Sequence, residues 1–244
     1  DPNYKHGFDS ITNTLKRLTY DDVKAYQKTL ASSTRLVTIV SPNDVEGLTN
    51  DKSYVRDYSN DVKEQAMSRD IRIPGKSSVV VKYGMVIPEY SDALHLAVAV
   101  LGNGFSGMLM QIVRDKYGLT YGINSRLRHG KGCAIFEITG TFSPKLLDEG
   151  IRRTNEVLHE WLGRDLTEHE VGIQKMEMIG SRNVQFDTPG ALASAIHQNK
   201  IIYGDVHRIN NFESLIHGVS LDDVNAAKSG IEFEKLALIK VGTF

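Results

Sequence analysis

The segment LGNGFSGMLMQIVRDKYGLTYGINSRL, Leu101 to Leu127, is the most informative part of this 244-residue sequence. It opens on a glycine-rich turn (Gly102, Gly104, Gly107) and continues into the helix-forming run MLMQIVRDK. Gly118 is placed to stop that helix in a left-handed cap, since glycine takes positive φ with no Cβ penalty. Arg114 sits about one turn before the stop, and Tyr121 is the third residue past it. A helical turn rises about 5.4 Å and three strand residues cover about 10 Å, so both side chains can reach one edge of the unit. A guanidinium and a phenol are apt donors to peptide carbonyls or to a developing oxyanion. The plainer alternative pairs Arg114 with Asp115 or Glu137 and leaves Tyr121 as packing.

The same turn formally matches GxGxxG, which would suit a dinucleotide-binding oxidoreductase cradling a pyrophosphate at Gly102–Gly107. That chemistry needs an acidic residue about 20 positions on, at a strand end, to hold the ribose. The stretch Tyr121–Arg128 has no Asp or Glu, and the preceding SDALHLAVAV opens like a capped helix rather than a strand. Nucleotide binding is therefore the remote alternative.

Working outward, Val79, Val81, Tyr83, Met85 and Ile87 alternate as in a half-buried strand. Tyr121–Arg128 and Cys133–Phe142 read as a hairpin turning at His129–Gly132. Leu147, Ile151, Thr154, Leu158, Trp161 and Leu162 stripe an amphipathic helix, and further helices are expected over Glu168–Arg182 and Ala191–Tyr203. A helical region broken by glycines is expected from Asp92 to Lys116. Strands followed by several helices and a last strand predict an α+β fold, an antiparallel sheet with helices packed on one face.

Two segments echo each other. LTYDDVKAYQKTLASSTRLVTIVSP (Leu18–Pro42) and VSLDDVNAAKSGIEFEKLALIKVGTF (Val219–Phe244) each place a hydroxyl residue three positions before an aspartate. Thr19/Asp22 and Ser220/Asp223 have capping-box spacing, and apolar residues follow at helical intervals: Val23, Tyr26, Leu30 and Val224, Ala227, Ile231. A short apolar strand is expected after each helix, Leu36–Val40 and Leu236–Val241. The offset, from Asp22 to Asp223, points to a duplicated module of about 200 residues. On that reading residues 1–42 are the tail of one module, 43–76 a polar connector ending in Pro74-Gly75, and 77–244 the next module.

Composition narrows the function. With 29 basic and 30 acidic residues the net charge is −1, which gives no electrostatic reason to expect nucleic acid or an anionic membrane. No apolar run approaches the ~18 residues of a membrane span. Cys133, the single cysteine, excludes an intrachain disulfide. Asp1 opens the sequence without Met or leader, so targeting information is expected to have been removed, and periplasm, cytoplasm and organelle all stay open. Zinc motifs fail on inspection. His159-Glu160 has Gly163 where HExxH needs histidine, and Asp165-Leu-Thr-Glu168-His169 puts aspartate first in an HxxEH pattern. Thr167 and Glu170 read instead as a helix cap, His197 and His207 lack helix-face spacing, and His217 falls in an expected loop. Ser106 is not in a GxSxG elbow, and Cys133 reads as a buried small hydrophobe.

Leu101–Leu127 resembles the second-domain signature of the pitrilysin/insulinase zinc peptidases, or inverzincins: a glycine-rich turn, a helix bearing arginine, then Gly-Leu-(Ala/Thr)-Tyr. The resemblance extends over the whole chain, with Ser41-Pro42 departing where the family often has glycine. It implies the non-catalytic half of a duplicated-module metalloendopeptidase, with Arg114 and Tyr121 binding a peptide substrate. It places zinc, the HxxEH helix and a distal glutamate in a partner module, fused in the same polypeptide or present as the other subunit of a dimer. No metal and no catalytic residue of its own are then expected in this chain. The family also includes catalytically dead scaffolds, in processing peptidases and respiratory complexes, which is the second reading.

Overall fold

Alternation decides the sheet. Val79–Ile87 (β2) buries Val79, Val81, Tyr83, Met85 and Ile87 on one face, because successive strand side chains point to opposite sides. Thr120–Gly130 (β3) and Cys133–Phe142 (β4) pair antiparallel, and β4 pairs antiparallel with β2 from Val79↔Phe142 to Ile87↔Ala134. The computed structural model describes residues 8–33, 36–43, 67–130 and 133–244; Lys131 and Gly132 of the expected turn, and 44–66 of the expected connector, lie outside them.

The final strand Ala237–Gly242 (β5) closes the unit by pairing antiparallel with β2, Val79↔Gly242. Arg69–Arg72 (β1), within the stretch read as connector, pairs parallel with β5 and gives the order β1-β5-β2-β4-β3. Its four residues are all exposed, so no apolar alternation marks it; the ladder alone makes it a strand.

The helices cover one face. Asp92–Gly102 (α3) is capped by Ser91, whose side chain accepts from Leu94 N, and buries Leu94 through Gly102 except His95. Leu147–Gly163 (α4) lays Trp161 parallel to Phe136, with ring centroids 6.4 Å apart. Glu168–Gln185 (α5) starts at the Thr167/Glu170 capping box. Pro189–Tyr203 (α6) follows Thr188, and Arg208–Gly218 (α7) leads to Leu221–Lys228 (α8), which packs on α3. Lys228 is buried, and its ammonium donates to the carbonyls of Trp161 (2.7 Å) and Arg164, ending α4.

Phe8–Leu15 (α1) and Tyr20–Ser32 (α2) stand apart: α2 forms its Thr19/Asp22 capping box yet buries none of its residues. Two expectations are corrected. Leu36–Val40 is extended but joins no ladder, since a strand needs a hydrogen-bonded neighbour and the described residues give it none. His217 lies not in a loop but in the last turn of α7, 3.7 Å from Glu213; a helix starting at His207 with no side-chain cap has no sequence signature at its N-terminus.

Candidate functional site

Two exposed aromatic side chains and a half-buried arginine meet where the glycine turn, the following helix and β3 converge. Met110–Lys116, expected as the tail of an α-helix, is a π-helix: the amide of Tyr117 donates to the carbonyl of Ile112, five residues back, at 3.2 Å. Gly118, at φ 64, stops it, its amide donating to the carbonyl of Arg114 at 2.8 Å while Leu119 N reaches Val113 O at 3.1 Å. The chain then enters β3 through a bulge between Thr120 and Ile123. Thr120 holds it, its hydroxyl accepting from Gly122 N and donating to Thr141 O. Tyr121 is turned out of the ladder and is 93% exposed.

Arg114 faces that ring, its guanidinium carbon 5.8 Å from the Tyr121 centroid and 5.3 Å from that of Phe105. The structure therefore brings Arg114 and Tyr121 together. It adds Phe105, 72% exposed, which the sequence reading passed over; an aromatic inside a glycine turn, where apolar burial is least available, was the signal. Of the alternative partners, Asp115 lies 3.5 Å from Arg114, whereas Glu137 pairs with Arg128. The Arg114 side chain remains 32% exposed, so the single loose contact with Asp115 leaves guanidinium hydrogens for another acceptor.

The glycine turn is a scaffold for Phe105. A Cβ at Gly107 would sit 2.6 Å from Gly102 Cα, and one at Gly102 would sit 2.6 Å from Ser125 N, so these two positions admit only glycine. Gly104 takes φ 59. Helix α5 fastens the turn: Ser106 donates to Glu177 (2.8 Å), Gln174 donates to Ser106 (2.8 Å), and Asn103 donates to Gln174 and Glu177. A carboxylate at the turn repels a pyrophosphate, and the turn follows helix α3 rather than a strand, so the geometry required of a dinucleotide site is not met.

A second polar cluster lies at the opposite end of α3. Tyr90 meets His95 (2.9 Å), donates to Asp92 and stacks on His129 at 4.0 Å. His129 meets the Tyr203 hydroxyl at 2.9 Å, and Arg208 donates to Asp92. Burial pushes the Tyr90 and Tyr203 hydroxyls up and the two histidines down from their ordinary range. These contacts pin α6 to strand β3 and α7 to the start of α3.

Among the described residues no group of three or more His, Cys, Asp or Glu side chains converges on a metal position. His159 packs against Phe233 instead. Cys133 is half-buried.

A sequence model described as "Peptidase M16 inactive domain" matches residues 17–178. The chain is 26% identical over 187 residues to a zinc protease of Mycobacterium tuberculosis; the match covers 77% of this chain but only 40% of that protein. Among solved structures it resembles a peptidase M16 inactive domain of Pseudomonas fluorescens, with TM-score 0.66 and 20% identity over 74% of this chain and 44% of that one. It also resembles a chain of complex III2 from Candida albicans, with TM-score 0.63 and 12% identity over 73% of this chain and 46% of that one.

Proposed function

The chain belongs to the peptidase M16 inactive-domain family, and from that premise we propose that it is the substrate-binding module of a zinc-dependent metalloendopeptidase acting on peptides or unfolded chains. Residues 77–244 form that module together with strand β1, Arg69–Arg72, at the end of the 43–76 connector, and 1–42 are the tail of a preceding zinc-type module, whose zinc-bearing part is fused or supplied as a partner subunit. The observation that carries the reading is the meeting of Arg114, Tyr121 and Phe105 on one exposed surface. A guanidinium with one loose acid partner and a phenol standing in solvent contribute little to the fold, but they are effective donors to a peptide carbonyl.

Zinc held by the partner module would supply polarisation of the water or carbonyl, and among the described residues of this chain no cluster of ligands forms for it. Its own residues act on the peptide. Arg114 donates to a backbone carbonyl, the Tyr121 hydroxyl donates to the same or the next oxygen, and Phe105 excludes water on the far side of the guanidinium. Donors of this kind accelerate cleavage to the extent that they hold the developing oxyanion better than the ground-state carbonyl.

The test is cleavage of an unstructured peptide by the chain assembled with its zinc-bearing module. Arg114→Ala and Tyr121→Phe are each expected to lower kcat/KM by about ten- to a hundredfold, the range of a single lost charge-assisted hydrogen bond. Unchanged cleavage by both would favour the scaffold reading. Metal-dependent cleavage by the chain alone would overturn the proposal.

A further inference from the structure

The sheet's second face, turned away from the helices, carries a concentration of positive charge. Ladder partners share a face, so the register places Lys82 with Ile239 and Arg69, and Arg126 with Glu137. Arg128 follows on the same face of β3, opposite Ile135. Four cations (Arg69, Lys82, Arg126, Arg128) thus share this face with one carboxylate, Glu137, a net of +3 in a chain whose total is −1. The four are exposed, and among the described residues only Arg128 forms an ion pair, with Glu137 at 3.5 Å. Arg126, directly across the ladder from Glu137, makes no ion pair among the described residues.

Two of these cations stand on the strand that carries Tyr121. β3 is the outer strand of the sheet among the described residues, and from Ile123 to Gly130 its register is unbroken, so its free edge can accept an extended chain. Opposite charges facing each other across a ladder attract, and like charges repel. We propose that the module selects acidic peptides: a substrate extended along the free edge of β3 sets Asp or Glu side chains beside Arg126 and Arg128. The spacing follows from the strand rise. A peptide held at Tyr121 reaches Arg126 about four to five residues further on and Arg128 two residues beyond that. Lys82 and Arg69 extend the same field across the sheet and attract the chain before it docks. This specificity rests on the grip proposed for Arg114 and Tyr121, which fixes where the peptide starts.

The experiment uses the chain assembled with its zinc-bearing module, the metal chelated so that nothing is cut. Binding of two labelled unstructured peptides is followed by fluorescence anisotropy, the pair differing only in Glu or Gln at two alternate positions. The acidic peptide is expected to bind about three- to tenfold more tightly at low salt, the preference shrinking toward one in 1 M salt. Arg126→Gln with Arg128→Gln is expected to abolish the preference, and Arg126→Lys with Arg128→Lys to retain it. Arg114→Ala is expected to weaken both peptides alike. Equal binding of the pair by the unaltered protein, or no binding of the acidic peptide, overturns the inference. So does a glutamine double variant that self-associates but keeps the preference, because Arg126 and Arg128 would then only guard the edge. A preference that survives while Arg114→Ala changes nothing upholds the basic face and removes the grip instead.

Discussion

Helices α2 and α8 begin with the same device and come to different ends. In each, a hydroxyl and an aspartate three residues on satisfy each other's amides: Thr19 with Asp22, Ser220 with Asp223. In each, apolar residues follow at the same offsets. Yet Val224 and Ile231 are 0% and 3% exposed, while Val23, Tyr26 and Leu30 are 59%, 63% and 49% exposed. A capping box is local chemistry and forms wherever its residues occur; burial requires a neighbour. Helix α8 has α3 beneath it, and among the described residues α2 has nothing equivalent. A contiguous apolar helix face left in water is the signature of a missing interface. It supports assigning α2 to the preceding module.

The contrast can be broken most decisively in the core. Val224→Asp should cost more than about 4 kcal/mol in urea unfolding, because it buries a carboxylate without a partner. Its counterpart Val23→Asp should change stability by no more than about 0.5 kcal/mol in this chain alone, and become costly once the zinc-bearing module is present. Equal destabilisation of the isolated chain by both would show that α2 is already covered.

A smaller difference is expected three positions before Leu30 and Ile231 in the matched repeat, at Gln27 and Lys228. Lys228→Met should destabilise by about 1–3 kcal/mol, leaving the last carbonyls of α4 without their buried donor. Gln27, the matching exposed residue of α2, should tolerate Met with no measurable change in the same unfolding curve.

The smallest effect, and the most selective, is that of acid. His95 and His129 are held below the ordinary value of 6.5, chiefly by burial, with Arg208 adding to the effect at His129. Tyr90, Asp92, Tyr203, Arg208 and Arg182 surround them from the β2–α3 junction and from α3, α6, α7 and α5. A base with a depressed folded value stabilises fully above its unfolded value. Stability should therefore decline as pH falls below 6.5 toward the folded values. The carboxylates Asp22 and Asp223 are likewise depressed, by their hydroxyl partners, but from 3.8, so both capping boxes should survive that window. Amide exchange at pH 5 should show α6 and α7 loosened while the first turns of α2 and α8 keep their pH 7 protection. Simultaneous loss at α2 would place the acid sensitivity elsewhere.

How much of this was readable beforehand depends on whether a feature is local. The three capping boxes, the alternation of β2 and the stripe of α4 are written in neighbouring residues, and they were read. The Arg114/Tyr121 meeting was also legible, because Gly118 fixes the reversal between them. Strand β1 was hidden because Arg-Asp-Ile-Arg becomes a strand only by pairing with β5, some 170 residues away. Helix α7 lacks a side-chain cap, and its start carries no punctuation. Phe105 was overlooked because its role depends on two glycines touching and on α5 gripping the turn, a contact between residues about 70 apart. The fastening of α4 by Lys228 is equally remote in sequence.

The π-helix under Arg114 makes residue count a variable in its own right. Such a helix holds more residues per turn than its α neighbour, so Met110–Lys116 carries one residue that a regular helix would not need. A relative lacking that residue would keep the same end points at Gly107 and Gly118, and its hydrogen bonding would be more regular. Each residue of an α-helix turns the chain by about 100°, so its arginine would look elsewhere, away from Phe105 and Tyr121. The less regular helix is thus a pointing device, and a lineage could retire or restore this arginine by a single codon's loss or gain without altering any side chain that now forms the surface.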